Sequence, residues 1–199
     1  MDLFSSQKTI LELPDAHITY VADFLKTDEA HELFEHLKHK TKWHHDDITL
    51  FGKTYKQPRL TALYAETNKT YTYSNVTMHP EPMSSELLSI KKKIEIITES
   101  EFNSVLLNLY RHGQDSNGWH ADNEKELGTN PIIASLSLGA ERVFHFKHRK
   151  IKTARHKLLL KNGSLLIMSG AMQHHWLHQI PKTQKPISER INLTFRNIY

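Results

Sequence analysis

Residues 156–168 read HKLLLKNGSLLIM. Two apolar runs flank Asn162-Gly163, a dipeptide that tolerates positive φ and closes two-residue turns, so the segment is expected to form a β-hairpin. Similar short, β-compatible runs lie on either side. Upstream are VLLNLY at 105–110, IIASLSL at 132–138 and RVFHF at 142–146; downstream are HHWLHQI at 174–180 and RINLTFR at 190–196. Turn-like segments separate them, and no helices alternate with them as a βαβ fold requires. The expected fold is therefore mainly β with flanking helices, its C-terminal half an antiparallel sandwich or barrel.

The N-terminal half differs. Residues 9–22 alternate loosely and predict one edge strand. Thr27 is a candidate N-cap, with Asp28 and Glu29 in the first turn of a helix over about 28–39. Ala30, Leu33, Phe34 and Leu37 recur there at helical spacing. Residues 47–79, broken by Gly52 and Pro58, read as short strands and loops. A second helix follows Pro82, with Met83, Leu87, Ile90, Ile94 and Ile97 on one face. No internal repeat or linker divides the 199 residues, which predicts a single domain over 1–199.

Composition narrows the chemistry. Apolar residues are 38% and charged residues 24%, as in folded chains rather than disordered ones. The sequence holds no cysteine, which excludes disulfides, iron–sulfur clusters, thiolate zinc sites and cysteine nucleophiles. No run is long enough to cross a bilayer, and MDLFSSQKTILELP at the start lacks the basic-then-apolar pattern of a secretory signal. An intracellular protein is expected, cytoplasmic if bacterial and nuclear if eukaryotic, without a membrane partner and monomeric by default. The formal charge is +4, and residues 147–157 read KHRKIKTARHK without an acid. That stretch is either a solvated hairpin or an arm that contacts phosphates.

Two patterns carry more specific chemistry. His120 and Asp122 flank a single residue, which on an extended segment puts both on one side. A third metal ligand is available among His174, His175 and His178. Two imidazoles and a carboxylate suit non-haem Fe(II) with open positions, but also hold zinc or manganese. In the final strand, Ile191, Leu193 and Phe195 alternate with Arg190, Asn192, Thr194 and Arg196. If the polar face lines the barrel interior, its guanidinium groups need an anion, and a dicarboxylate fits. Asn108 and Tyr110 repeat the pattern on another strand.

Together these elements resemble the AlkB-type 2-oxoglutarate- and Fe(II)-dependent dioxygenases. The resemblance is carried by NLY at 108–110, WHADNE at 119–124, ASLSLGAERVFHF at 134–146, GSLLIM at 163–168, HHWLHQIP at 174–181 and RINLTFR at 190–196, and extends upstream through YTYS at 71–74 and FGKTYKQPR at 51–59. It covers about residues 48–199 and is looser over the first helix. It implies a double-stranded β-helix (jelly-roll) core, with 1–103 as helical support and nucleotide-recognition region and 104–199 as catalytic core. It implies His120, Asp122 and His178 as Fe(II) ligands, leaving His174 and His175 outside the ligand set. Arg190, with Tyr110 and Asn108, matches the residues that hold the distal carboxylate of 2-oxoglutarate, while Asn192 and Arg196 match positions nearer its chelating end.

The resemblance also implies a substrate side. Glu124 matches an acid that binds the exocyclic amino group of a methylated base. Tyr71 and Tyr73 match residues packing on a flipped base, and Arg59 matches a lid residue near the nucleotide. Phe51, in a segment similar to the homologues that act on duplex DNA, matches a wedge filling the gap left in the stack; read alone, an aromatic before Gly52 is more simply a core anchor. The implied reaction is oxidative demethylation of 1-methyladenine and 3-methylcytosine in DNA, consuming O2 and 2-oxoglutarate and releasing formaldehyde, succinate and CO2. Duplex DNA is favoured as partner, with single-stranded DNA possible. RNA or methylated protein is the alternative substrate. A nucleic-acid-binding protein with a structural metal, or a zinc hydrolase, leaves the Arg190/Arg196 face unexplained.

Overall fold

The structure is a computed structural model that describes residues 8–50, 52–66, 71–73 and 76–199. In chain order its elements are β1 (Lys8–Leu13), β2 (Ala16–Val21), α1 (Thr27–Lys40), β3 (Asp47–Leu50), β4 (Lys53–Lys56), β5 (Leu60–Ala65), β6 (Tyr71–Tyr73), β7 (Val76–Met78), β8 (Glu81–Pro82) and α2 (Ser85–Thr98). There follow β9 (Ser104–Tyr110), β10 (Asn117–His120), a 3-10 turn (Lys125–Leu127), β11 (Ile133–Gly139), β12 (Arg142–His148), β13 (Arg155–Leu160), β14 (Ser164–Ser169), α3 (Met172–His175), β15 (Trp176–Ile180) and β16 (Arg190–Arg196).

A major sheet runs β1-β2-β14-β11-β16-β9-β5-β8, and a minor sheet runs β10-β15-β12-β13. Residues 1–103 thus supply β1, β2, β5 and β8 of the major sheet besides both long helices. The two sheets face each other as a jelly roll. β16 lies at the centre of the major sheet, so all its residues are buried, but into two different interiors. Ile191, Leu193 and Phe195 join Val105, Leu107, Leu109, Ala134, Leu136 and Leu138 in an apolar layer under α1 and α2. The other face of the same strands points between the sheets.

The helices are fitted to that layer. Ala30, Leu33, Phe34 and Leu37 of α1 and Leu87, Ile90 and Ile94 of α2 are buried against it. Gly139, at φ 81°, lets α1 approach β11: a Cβ there would lie 2.8 Å from the Phe34 ring and 2.6 Å from the Glu189 carbonyl oxygen. The cap of α1 is Lys26 rather than Thr27, because Glu29 Oε2 accepts from the Lys26 backbone N–H at 3.1 Å. At α2, Ser84 Oγ accepts from Leu87 N–H at 3.4 Å.

Two local expectations are corrected. Residues 9–22 form β1 and β2, an antiparallel pair turned at Pro14-Asp15, where Asp15 adopts φ 56°. Asn162-Gly163 closes no hairpin. β13 pairs with β12 in the minor sheet, whereas β14 pairs with β11 and β2 in the major one. The turn chemistry is present, with Gly163 at φ 74°, but it serves a corner between sheets. Asn162 Oδ1 accepts from Gly139 N–H at 2.8 Å and Gly163 N–H donates to the Ser137 carbonyl at 2.8 Å, anchoring the crossing strand to β11.

Candidate active site

The cavity between the sheets is built from strand register. β10 and β15 pair with His120 directly opposite His178, so the two imidazoles meet on the inner face. Their Nε2 atoms lie 3.1 Å apart, and His178 Nε2 is 3.6 Å from Asp122 Oδ2. His120, Asp122 and His178 form a cluster whose ligand atoms all fall within 4.8 Å of one another. His174 and His175 do not join it; they lie in α3, not in the strand expected for HHWLHQI.

The protonation of this cluster follows from its hydrogen bonds. His120 Nδ1 lies 2.7 Å from the Gly118 carbonyl oxygen, which can only accept. The Nδ1 proton is therefore fixed there, and Nε2 presents a lone pair, as its 3.2 Å contact with Asn117 Nδ2 also requires. Burial, followed by the neighbouring His178, pushes the His120 pKa down to about 3, so the ring is neutral. Burial opposes the charge on Asp122, but Arg196 and His178 outweigh it and hold the carboxyl well below the usual range. A neutral imidazole lone pair, a second imidazole and a carboxylate at these distances fit a divalent metal ion.

Neighbouring groups lock the cluster. Arg196 Nη2 donates to Asp122 Oδ1 at 2.6 Å, and Asp122 N–H donates to Gln173 Oε1 at 3.0 Å. The Phe144 ring stacks on His178 with centroids 5.2 Å apart. Gln173, Phe144 and Asn117 were not legible in advance. Nothing in their spacing marks them; only the fold brings them to the histidine–aspartate cluster.

The opposite wall is the inner face of the major sheet. Register sets Asn192 across from Asn108 on one side and Ser137 on the other, with Arg190 across from Tyr110 and Gly139. Arg190 is 1% exposed. Its Nη2 donates to Ser137 Oγ at 2.9 Å and Asn192 Oδ1 at 2.7 Å, and its guanidinium lies 5.2 Å from the Tyr110 ring centre. Its Nε and Nη1 have no hydrogen-bond partner among the described residues. Burial lowers its pKa to about 10, which leaves it charged at neutral pH. A buried guanidinium with two unused nitrogens, in the same cavity as the histidine–aspartate cluster, suits a carboxylate ligand.

The expected substrate-side residues are placed less completely. Arg59 is buried, with Nε donating to Asn108 Oδ1 at 2.7 Å. Glu124 caps the 3-10 turn two residues beyond Asp122. Tyr71 and Tyr73 lie on β6, paired with Met78 and Val76. Phe51 lies outside the described residues; β3 and β4 on either side of it pair with Leu50 opposite Lys53. The basic stretch 147–157 forms the end of β12, its turn and the start of β13, with Arg149, Lys150, Lys152, Arg155 and Lys157 exposed.

A second acid–histidine cluster, Asp15, His148 and His175, serves that hairpin instead of a metal. His148 Nδ1 accepts from Lys150 and Ile151 N–H at 3.1 and 2.9 Å, so its proton sits on Nε2 and points to Asp15 Oδ2 at 3.2 Å. A metal on Nε2 would need the proton moved to Nδ1, against two backbone donors.

Comparison with known proteins agrees with this geometry. Residues 17–196 match the 2OG-Fe(II) oxygenase superfamily. The chain is 44% identical over 185 residues to alpha-ketoglutarate-dependent dioxygenase alkB homolog 3 of Bos taurus, covering 88% of this chain and 64% of that protein. It is 37% identical over 180 residues to DNA oxidative demethylase ALKBH2 of Homo sapiens, covering 85% of this chain and 69% of that one. The chain thus spans less than two thirds of the length of the first of these relatives. The solved structure of OsALKBH1 shares the fold at a TM-score of 0.67 and 15% identity, over 96% of this chain and all of that one. The histidine–aspartate cluster and the buried arginine wall are thus features of a chain that belongs to the 2OG-Fe(II) oxygenase superfamily, among its AlkB-like members.

Proposed function

We propose that the protein oxidatively demethylates N-alkylated bases such as 1-methyladenine and 3-methylcytosine in DNA, a direct repair of alkylation damage. The observation that carries this reading is the single cavity that holds both the His120–Asp122–His178 cluster and the buried, half-used guanidinium of Arg190. A hydrolytic zinc site would need the first but not the second.

In this reading His120, Asp122 and His178 hold Fe(II), which with 2-oxoglutarate and O2 supplies the oxidising power. Arg190 takes the distal carboxylate of 2-oxoglutarate on Nε and Nη1, beside Tyr110. Asn108 offers its amide to the co-substrate, Asn192 orients the Arg190 guanidinium, and Arg196 holds one carboxylate oxygen of Asp122, leaving the other for the metal. No side chain needs to remove a proton from the methyl group. Once hydroxylated, that carbon leaves as formaldehyde and the base is restored.

The nucleic-acid side rests on the residues that the resemblance assigns to it. Both methylated bases are cationic at neutral pH, which suits Glu124. Their Watson–Crick edges are blocked, so extrusion costs less than for an intact pair. In this reading Tyr71 and Tyr73 pack on the base, Phe51 fills the vacated stack, and the exposed cations of 149–157 meet the backbone. That DNA oxidative demethylase ALKBH2 is 37% identical supports a nucleic-acid substrate.

The test is formaldehyde release from 3-methylcytosine in single-stranded and duplex DNA by iron-loaded protein, with and without 2-oxoglutarate. Release that depends on 2-oxoglutarate is expected, with Phe51→Ala impairing duplex more than single-stranded substrate. No release from either DNA, but release from methylated RNA or protein, would move the substrate and keep the chemistry.

A further inference from the structure

The polar row across the major sheet holds a group whose placement differs from its expected role. Arg59 precedes β5 and is 4% exposed, and its guanidinium is spent on buried partners. Nε donates to Asn108 Oδ1 at 2.7 Å and Nη1 to the Ser116 carbonyl at 3.3 Å. The Pro58 carbonyl, one residue earlier, accepts from Ser116 N–H at 2.8 Å and ties the same segment to the strand end before β10. Asn108 is itself 5% exposed and lines the cavity.

A guanidinium only donates. The arm of the Asn108 amide that meets Arg59 must therefore be the oxygen, and the amide cannot flip without placing its NH2 against a cation. That leaves Nδ2, the donor arm, for the cavity. Asn192 directly across is fixed the same way: Arg190 and Ser135 occupy its Oδ1, and its Nδ2 donates to Thr194 Oγ1. Of the two amides in the row, Asn108 is the one whose donor can be spent on an anion.

We propose that Arg59 is a positioning residue for the co-substrate: it fixes the Asn108 amide so that Nδ2 faces the carboxylate ligand, and it acts through Asn108 alone. The inference rests on reading the cavity as the 2-oxoglutarate site. It differs from a role in gripping the nucleotide, which would act on the other ligand.

The test is a double-mutant cycle read by titration calorimetry of 2-oxoglutarate into Mn(II)-loaded protein, with an oligonucleotide containing 3-methylcytosine titrated separately. Arg59→Lys cannot make both bonds and is expected to weaken 2-oxoglutarate binding about tenfold, the order of one hydrogen bond to a charged group. Oligonucleotide affinity is expected to stay within about twofold, well under one such bond. Asn108→Ala should weaken 2-oxoglutarate as well, and adding Arg59→Lys to it should cost nothing further, since the intermediary is already gone. A general loss of folding would instead worsen the double variant. Unchanged 2-oxoglutarate binding in Arg59→Lys, or additive losses in the cycle, would overturn the proposal while leaving the cavity's ligand in place. A wild-type protein that does not bind 2-oxoglutarate would overturn both.

Discussion

At the scale of single residues the site is a set of charges removed from water and held by close polar neighbours. Asp122 and Arg196 are 2% and 3% exposed and 2.6 Å apart. Removing one partner of such a pair leaves the other buried and alone, which costs about 3–5 kcal/mol. Asp122→Ala is therefore expected to abolish turnover and metal binding and also to lower the melting temperature; full activity in the variant would reject Asp122 as a ligand. Arg190→Ala is expected to raise the 2-oxoglutarate concentration needed for half-maximal rate, with the kcat at saturation less affected. Asp115 offers a pH-dependent contrast outside the cavity. It accepts from Arg111 N–H, Nε and Nη2 at 2.9, 2.8 and 3.0 Å, and although burial opposes its charge, Arg111 holds its pKa below the ordinary value. A depressed folded pKa stabilises above the unfolded pKa of about 3.9 and is lost as pH falls through the folded one. Asp115→Asn should thus melt lower than wild type at pH 7, with the gap closing as pH drops below about 4. A gap that persists in acid would mean the pair contributes through packing.

Secondary-structure elements show what local sequence can specify. The alternation of RINLTFR was enough to place Arg190, Asn192, Thr194 and Arg196 on one face, because a period of two survives any tertiary context. Helix α1 was legible to within a residue at each end. The Asn162-Gly163 turn was misleading for a physical reason: positive-φ tolerance dictates that the chain turns, not which strand its arms will pair with. Partner choice is decided by burial across the whole sheet, and here it sends β13 and β14 to different sheets. Gln173 and Phe144 were illegible for the same reason, as their contacts with Asp122 and His178 exist only after the sheets close. The basic hairpin gives an element-scale prediction. Arg149, Lys150 and Lys152 are exposed in its turn. Each phosphate contact contributes about 0.9 to the slope of log affinity against log salt on duplex DNA. Replacing all three by alanine should reduce that slope by about two to three if they meet the backbone, and an unchanged slope would make the hairpin a solvated surface.

Over the whole molecule, the cavity sits where the two sheets meet, with His120, His178 and Asp122, the proposed metal ligands, on β10, β15 and the segment after β10, and Arg190, the proposed carboxylate partner, on β16. A ligand set divided this way couples occupancy to the packing of one sheet on the other. Arg190 Nε and Nη1 are buried without a hydrogen-bond partner among the described residues, a cost that a bound carboxylate would remove under the proposed function. Binding only to the folded state stabilises by RT ln(1 + [L]/Kd), about 4 kcal/mol at a thousandfold excess over Kd. For a chain of this size 1 kcal/mol raises the melting temperature by about 2–4 °C. Mn(II) with saturating 2-oxoglutarate should therefore raise the melting temperature by about ten degrees, and a chelator should reverse the gain. Asp122→Ala should show neither change. In Arg190→Ala the metal's part of the gain should survive while that of 2-oxoglutarate is lost, because the two ligands rest on opposite sheets. Equal loss of both in Arg190→Ala would mean that the sheets no longer close on each other, and that β16 contributes architecture in place of a carboxylate contact.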